Sequence, residues 1–227
     1  MTKTQFEPNL GLLKEWEDAG PIFDQYAYVA IFKKNEKTLI YACDDHGANV
    51  SFDMVDFCFT DGFSEKPQVA VIEYENSDRK MTQLAFQDNA LAYAAGVAAK
   101  RGLPVVLADL SENEMLDVVK RFAPDKELVN YDYLYKILDA GEPSRKKGPY
   151  NLLDAELELH GRDPFMLKNI AAALNKFDTV FAIFGEGHYR SQRLVLEDML
   201  GKPEYIKDFP NTRGDFGGLE FSPIKLV

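Results

Sequence analysis

The sequence predicts an α/β fold, a mixed and largely parallel central sheet flanked by helices. Three observations carry that expectation. Short apolar runs rich in β-branched and aromatic residues recur along the chain, as buried strands do. Helical patterns separate most of them, the alternation that builds parallel sheets. The first two runs are joined across "KNEK" alone, which fits a hairpin and makes the sheet mixed.

Strands are expected at 27–34, 38–43, 68–75, 104–109 and 179–185. The alanine-rich segment 82–102 reads as a helix closed by Lys100, Arg101 and a C′ glycine, Gly102. A second helix, 111–124, opens on a capping box of Ser111 and Glu114 and stops before Pro124. A third, 163–177, takes Asp163 as N-cap and Pro164 as its first residue. The last, 191–201, closes at Gly201. Residues 125–160 lack a clear period and read as an insertion or lid within one domain spanning 1–227.

The chain of 227 residues carries a net charge of −11, which argues against a nucleic-acid partner because phosphate binding needs clustered positive charge. Its one basic cluster, "SRKKG" at 144–148, is short and reads as a solvated loop. No apolar run approaches the ~20 residues a membrane helix needs. The N-terminus lacks an apolar signal region, so the chain is placed in the cytoplasm. Cys43 and Cys58 make no disulfide framework. Neither a P-loop nor a dinucleotide glycine pattern is present.

Ligands of open α/β sheets gather at the C-terminal strand ends, and acidic or histidine residues fall at several of them. Asp44, Asp45 and His46 follow the second run. Glu73 and Glu75 end the third, and Glu186 and His188 follow the fifth. A carboxylate inside an apolar strand, as at Glu73, must be paired, metal-bound or protonated if buried. If these strands are neighbours, His46, Glu73 and His188 converge as ligands for a divalent cation such as Zn, Mn, Co or Fe. Gly185 and Gly187 would turn the chain sharply and present His188 at the sheet edge. Taken singly, each histidine reads better as a hydrogen-bonded structural residue. His160 reads as a capping or solvent-facing residue, and Cys43 as a small buried one.

The order of these motifs resembles the EreA/ChaN-like superfamily, which includes TraB/Tiki proteins, erythromycin esterases and ChaN haem-binding proteins. The block "GRDPFMLKNIAAALNKFDTVFAIFGEGHYRSQRLVLEDMLG" (161–201) is similar to the family's Arg-Asn/Asp pair, helix, strand and Gly-x-x-His. "TLIYACDDHG" resembles the first Gly-x-x-His strand, with Cys43 where the family has glycine. The likeness implies an EreA/ChaN-like domain with His46, Glu73, His188 and Arg162 as site residues, and Asp109 beside them. It implies a hydrolase of an ester or amide bond, in some relatives metal-dependent, acting on a small molecule or peptide. Arg162 would then clamp an anion or oxyanion. Haem or other small-ligand binding through a histidine or a tyrosine of the Tyr131, Tyr133, Tyr135 cluster is an alternative. A non-catalytic regulatory or interaction protein is another. The strand 27–34, taken as an edge, could pair across a homodimer.

Overall fold

The sheet forms because its strands are apolar on both faces, which only cover from two sides can satisfy. The structure, a computed structural model, describes residues 5–19, 23, 27–44, 49–60, 63–75, 90–140 and 149–209. Strands β1 (Tyr28–Lys34) and β2 (Lys37–Asp44) form the expected hairpin, turned by Asn35 at φ 57°. β3 (Val69–Glu75), β4 (Val105–Asp109) and β5 (Thr179–Gly185) complete a parallel block with β2, and β6 (Glu204–Ile206) adds a short outer strand. The order is β4-β3-β5-β2-β1-β6. The fold class is therefore α/β with a mixed, mostly parallel sheet.

One expectation about this sheet is corrected. β1 is not an edge: β2 flanks it on one side, and β6 pairs with Val29–Ile31 on the other. A dimer through a free 27–34 edge loses its structural basis.

Alternation along the strands sends side chains to two cores. Val29, Ile31, Ala42, Ile72 and Phe181 face helices α1 (Asn49–Phe59) and α2 (Ala90–Lys100). Tyr41, Val69, Val71 and Phe184 face the opposite layer, helices α5 (Asp163–Lys176) and α6 (Glu186–Leu200). Glu73 shares the parity of Val69 and Val71, so it points toward α5 and α6. A third cluster joins helices α3 (Glu112–Phe122), α4 (Tyr131–Ala140) and the segment Pro149–Leu157. The described part of 125–160 is thus a packed helical layer. The Ser111–Glu114 capping box opens α3 as the sequence predicts, and Gly102 takes the left-handed φ of 70° expected after α2. Among the described residues, no helix is long and apolar enough to cross a membrane.

The helix at 163 does not begin there. Pro149–Leu157 runs through a π-helical turn, Glu158–Arg162, directly into α5. Asp163 is helical, at φ −58° and ψ −46°, and its N–H bonds the Glu158 carbonyl five residues back. It is therefore no N-cap. Pro164 explains the widening: it lacks an N–H, and its ring would strike a carbonyl of the preceding turn in a regular helix. Gly161 lets this turn lie close to its neighbours. A Cβ there would stand 3.0 Å from Val118 Cγ2 and 3.1 Å from Leu110 Cδ1. Gly161→Val is expected to cost about 1–3 kcal/mol through overpacking, read as a lower urea midpoint at unchanged slope.

Candidate functional site

The parallel strands end nearly level, with Glu75 paired to Asp109, Ile72 to Ile183 and Asp44 to Gly185. The β3–β4 register shifts between Ile72 and Glu75, an irregularity that spans Glu73 within β3, and such irregularities re-aim side chains. β5 passes straight into α6, whose N-cap is Gly185 at φ −55°. The expected glycine turn is corrected by this. His188 lies in the first turn of α6 and is only 8% exposed, buried rather than held out at an edge.

Glu73, Asp109, Glu158, Arg162, Asp163 and His188 meet in one network. Arg162 grips Asp109 through Nε and Nη2, at 3.0 Å to Oδ1 and 2.7 Å to Oδ2. Its Nη2 also donates to Glu73 Oε1 at 2.9 Å and its Nη1 to Glu158 Oε1 at 2.5 Å. Every guanidinium nitrogen is thereby engaged by carboxylates. That engagement suits gathering the acids of the site, in place of the open anion clamp read from the sequence.

His188 sits at the centre. Nε2 lies 3.2 Å from Glu73 Oε1, and Nδ1 lies 2.9 Å from Asp163 Oδ1 and 3.1 Å from Glu158 Oε2. Burial pulls its pKa down, but Glu158, Glu73 and the Asp163 hydrogen bond outweigh that and hold it well above the ordinary value. Burial raises Glu158, an effect that Arg162 and His188 only partly offset. Nearby Asp154 is pushed up to about 7 by burial and by Glu158. Carboxylates outnumber cations here, so the pocket is short of positive charge.

Outer partners hold these groups in place. Glu73 Oε2 accepts the Gly185 N–H at 2.6 Å, at the start of α6. Gln192 donates from Nε2 to Asp163 Oδ1 at 2.7 Å while its Oε1 accepts the Tyr41 hydroxyl at 3.0 Å. Two buried oxygens, Asp163 Oδ2 and Glu158 Oε2, make no hydrogen bond. Glu158, Asp163 and His188 each offer a ligand atom, all within 4.8 Å of one another, and this group could hold a metal ion.

Of the residues singled out from sequence, Glu73, Arg162, His188 and Asp109 come together. His46 and Asp45 lie outside the described residues, as do "SRKKG" and the Glu75 side chain. Glu158, Asp163 and Gln192 were missed as site residues. The Glu158–Arg162 spacing of four was a legible helical pair, but only for a helix continued through Gly161. His160 is exposed within the π turn, 3.2 Å from Glu156 and stacked on Phe122. The hydroxyls of Tyr131 and Tyr135 bond Asn113 and Glu112 of α3. A separate buried pair, Arg190 on Glu186, lies beside Tyr28.

Cys43 and Cys58 are both fully buried. Burial pushes both thiols up, Cys43 despite an opposing hydrogen bond with Tyr28. Neither should react with an aromatic disulfide reagent in the native state, and both should on unfolding. Rapid native labelling of either would contradict the burial.

Comparison of the chain with protein-family models, curated proteins and solved structures finds no match.

Proposed function

We propose that this chain hydrolyses an ester or amide bond of a small molecule or peptide, with water activated at His188. The observation that carries the reading is a buried imidazole with a carboxylate at each ring nitrogen, Glu73 at Nε2 and Asp163 at Nδ1. That arrangement fixes the ring and can hold or pass a proton. Glu73 accepts a hydrogen bond from Nε2–H, and the Nδ1 side, faced by Glu158 and Asp163, is where water would be activated, by a cation these residues would hold and not by the ring taking a proton. Arg162 is a positioning residue that holds the surrounding carboxylates in place. A divalent cation held by these acids would supply Lewis acidity toward water and the carbonyl.

The EreA/ChaN-like motif order supports the same reading, and it brings in His46 as a second imidazole. β2 and β5 are neighbouring parallel strands that end level at Asp44 and Gly185, which favours a joint role for the residues that follow them. The test is a panel of ester and peptide substrates given to wild type, His46→Ala and His188→Ala, with folding checked by circular dichroism. Turnover by wild type, lost in folded His188→Ala, supports the proposal. No turnover across the panel would favour a non-catalytic role for the scaffold.

A further inference from the structure

We infer that Glu158, Asp163 and His188 form a binding site for one first-row divalent cation of manganese or iron type. The inference goes beyond hydrolysis and stands without it. Four features converge on it. The ligand atoms lie within 4.8 Å of one another, a span that one coordinated ion can bridge.

The second feature is the pair of unsatisfied oxygens. Asp163 is 0% exposed, yet its Oδ2 makes no hydrogen bond, and neither does Glu158 Oε2. A buried acceptor left this way costs about 1–3 kcal/mol; Asp163 Oδ2 is such an acceptor, and Glu158 Oε2 has only the His188 Nδ1 contact at 3.1 Å beside it. A cation satisfies both together.

Third, each ligand is already fixed through its other polar atom. Glu158 Oε1 is held by Arg162 Nη1, Asp163 Oδ1 by Gln192 Nε2, and His188 Nε2 faces Glu73 Oε1. Metal-bound histidines characteristically direct their second nitrogen at a carboxylate, which selects the tautomer and leaves the first to coordinate. Glu73 occupies that outer position relative to Nδ1. Fourth, four carboxylates, Glu73, Asp109, Glu158 and Asp163, stand around one guanidinium, Arg162, so a cation beside a neutral His188 corrects the imbalance.

The donor set also narrows the ion. Two carboxylates with one imidazole suit manganese or iron better than soft ions, which prefer thiolates. The proposed ligands differ from the trio His46, Glu73, His188 expected from sequence: Glu73 serves here as the outer partner.

The test titrates metal-stripped wild type, Glu158→Gln and Asp163→Asn with Mn(II), reading free ion by its electron paramagnetic resonance signal. Both substitutions keep side-chain shape. Wild type should bind one Mn(II) per chain and gain thermal stability. Each folded variant should bind more weakly by over about 100-fold, beyond the 10–100-fold typical of losing an outer partner. Wild type that takes up neither Mn(II) nor competing Zn(II) overturns the site, as does unchanged affinity in both variants. Mn(II) binding with the expected variant pattern but no turnover supports the site and defeats the hydrolytic reading. Turnover by wild type that binds no cation defeats the site and leaves hydrolysis standing.

Discussion

Arg162→Met is expected to lower the stability of the fold by about 3–5 kcal/mol, the range for removing one partner of a buried ion pair. The reason is the number of acids that depend on it. Its guanidinium meets Asp109 in bidentate fashion and reaches Glu73 and Glu158 as well. Without it, several buried carboxylates face one another with His188 as the remaining cation of the network. Arg162→Lys keeps the charge but not the planar fork, so it should fall between wild type and Arg162→Met. Urea unfolding with an unchanged slope measures both. A loss below about 1 kcal/mol in Arg162→Met, within the range of exposed ion pairs, would mean the network is solvated and does not organise the site.

Glu73→Gln is expected to be damaging although it alters one atom of the side chain. Both oxygens of Glu73 face donors: Oε1 takes Arg162 and His188, and Oε2 takes the Gly185 N–H. An amide can present its oxygen to only one of these sides, so its NH2 must meet a donor on the other. The mismatch should cost about 1–3 kcal/mol. It also removes the charge that sets the His188 tautomer, and the proposed hydrolysis should fall by about 10²–10⁴-fold. Thermal melting and the hydrolytic rate of folded protein read the two effects separately. A variant as stable and active as wild type would show that Glu73 does not hold the imidazole.

How much of this was legible depended on which signals were local. Strands β1 to β5 announce themselves because each is a mainly apolar run with polar flanks, a pattern that burial on both faces demands. Glu73 stood out as a carboxylate inside such a run. β6 escaped notice because it is three residues long, and its pairing with Val29–Ile31 removed the edge assigned to β1. Helix α1 was unread because "NVSFDMVDFCF" has no acid in its first turn and no base in its last.

Glycine and proline misled most. Gly185 and Gly187 suggested a loop, whereas the helix starts at Glu186 and carries His188 inward. "HGRDP" read as a break before a helix, because glycine beside proline usually marks one. The π turn accommodates both within a continuous helix, and it sets Glu158, Arg162 and Asp163 against β3, β4 and α6. That tertiary placement has no local signature, so two of the acids facing His188 stayed hidden while Glu73 was found.

The most direct measurement is the hydrolytic rate of His188→Ala beside wild type, at equal concentrations of folded protein and on any ester or amide that wild type turns over. A fall on the order of 10²–10⁴-fold with secondary structure retained is the predicted result. Equal rates in the two proteins would contradict it, and would place the chemistry elsewhere than at this imidazole.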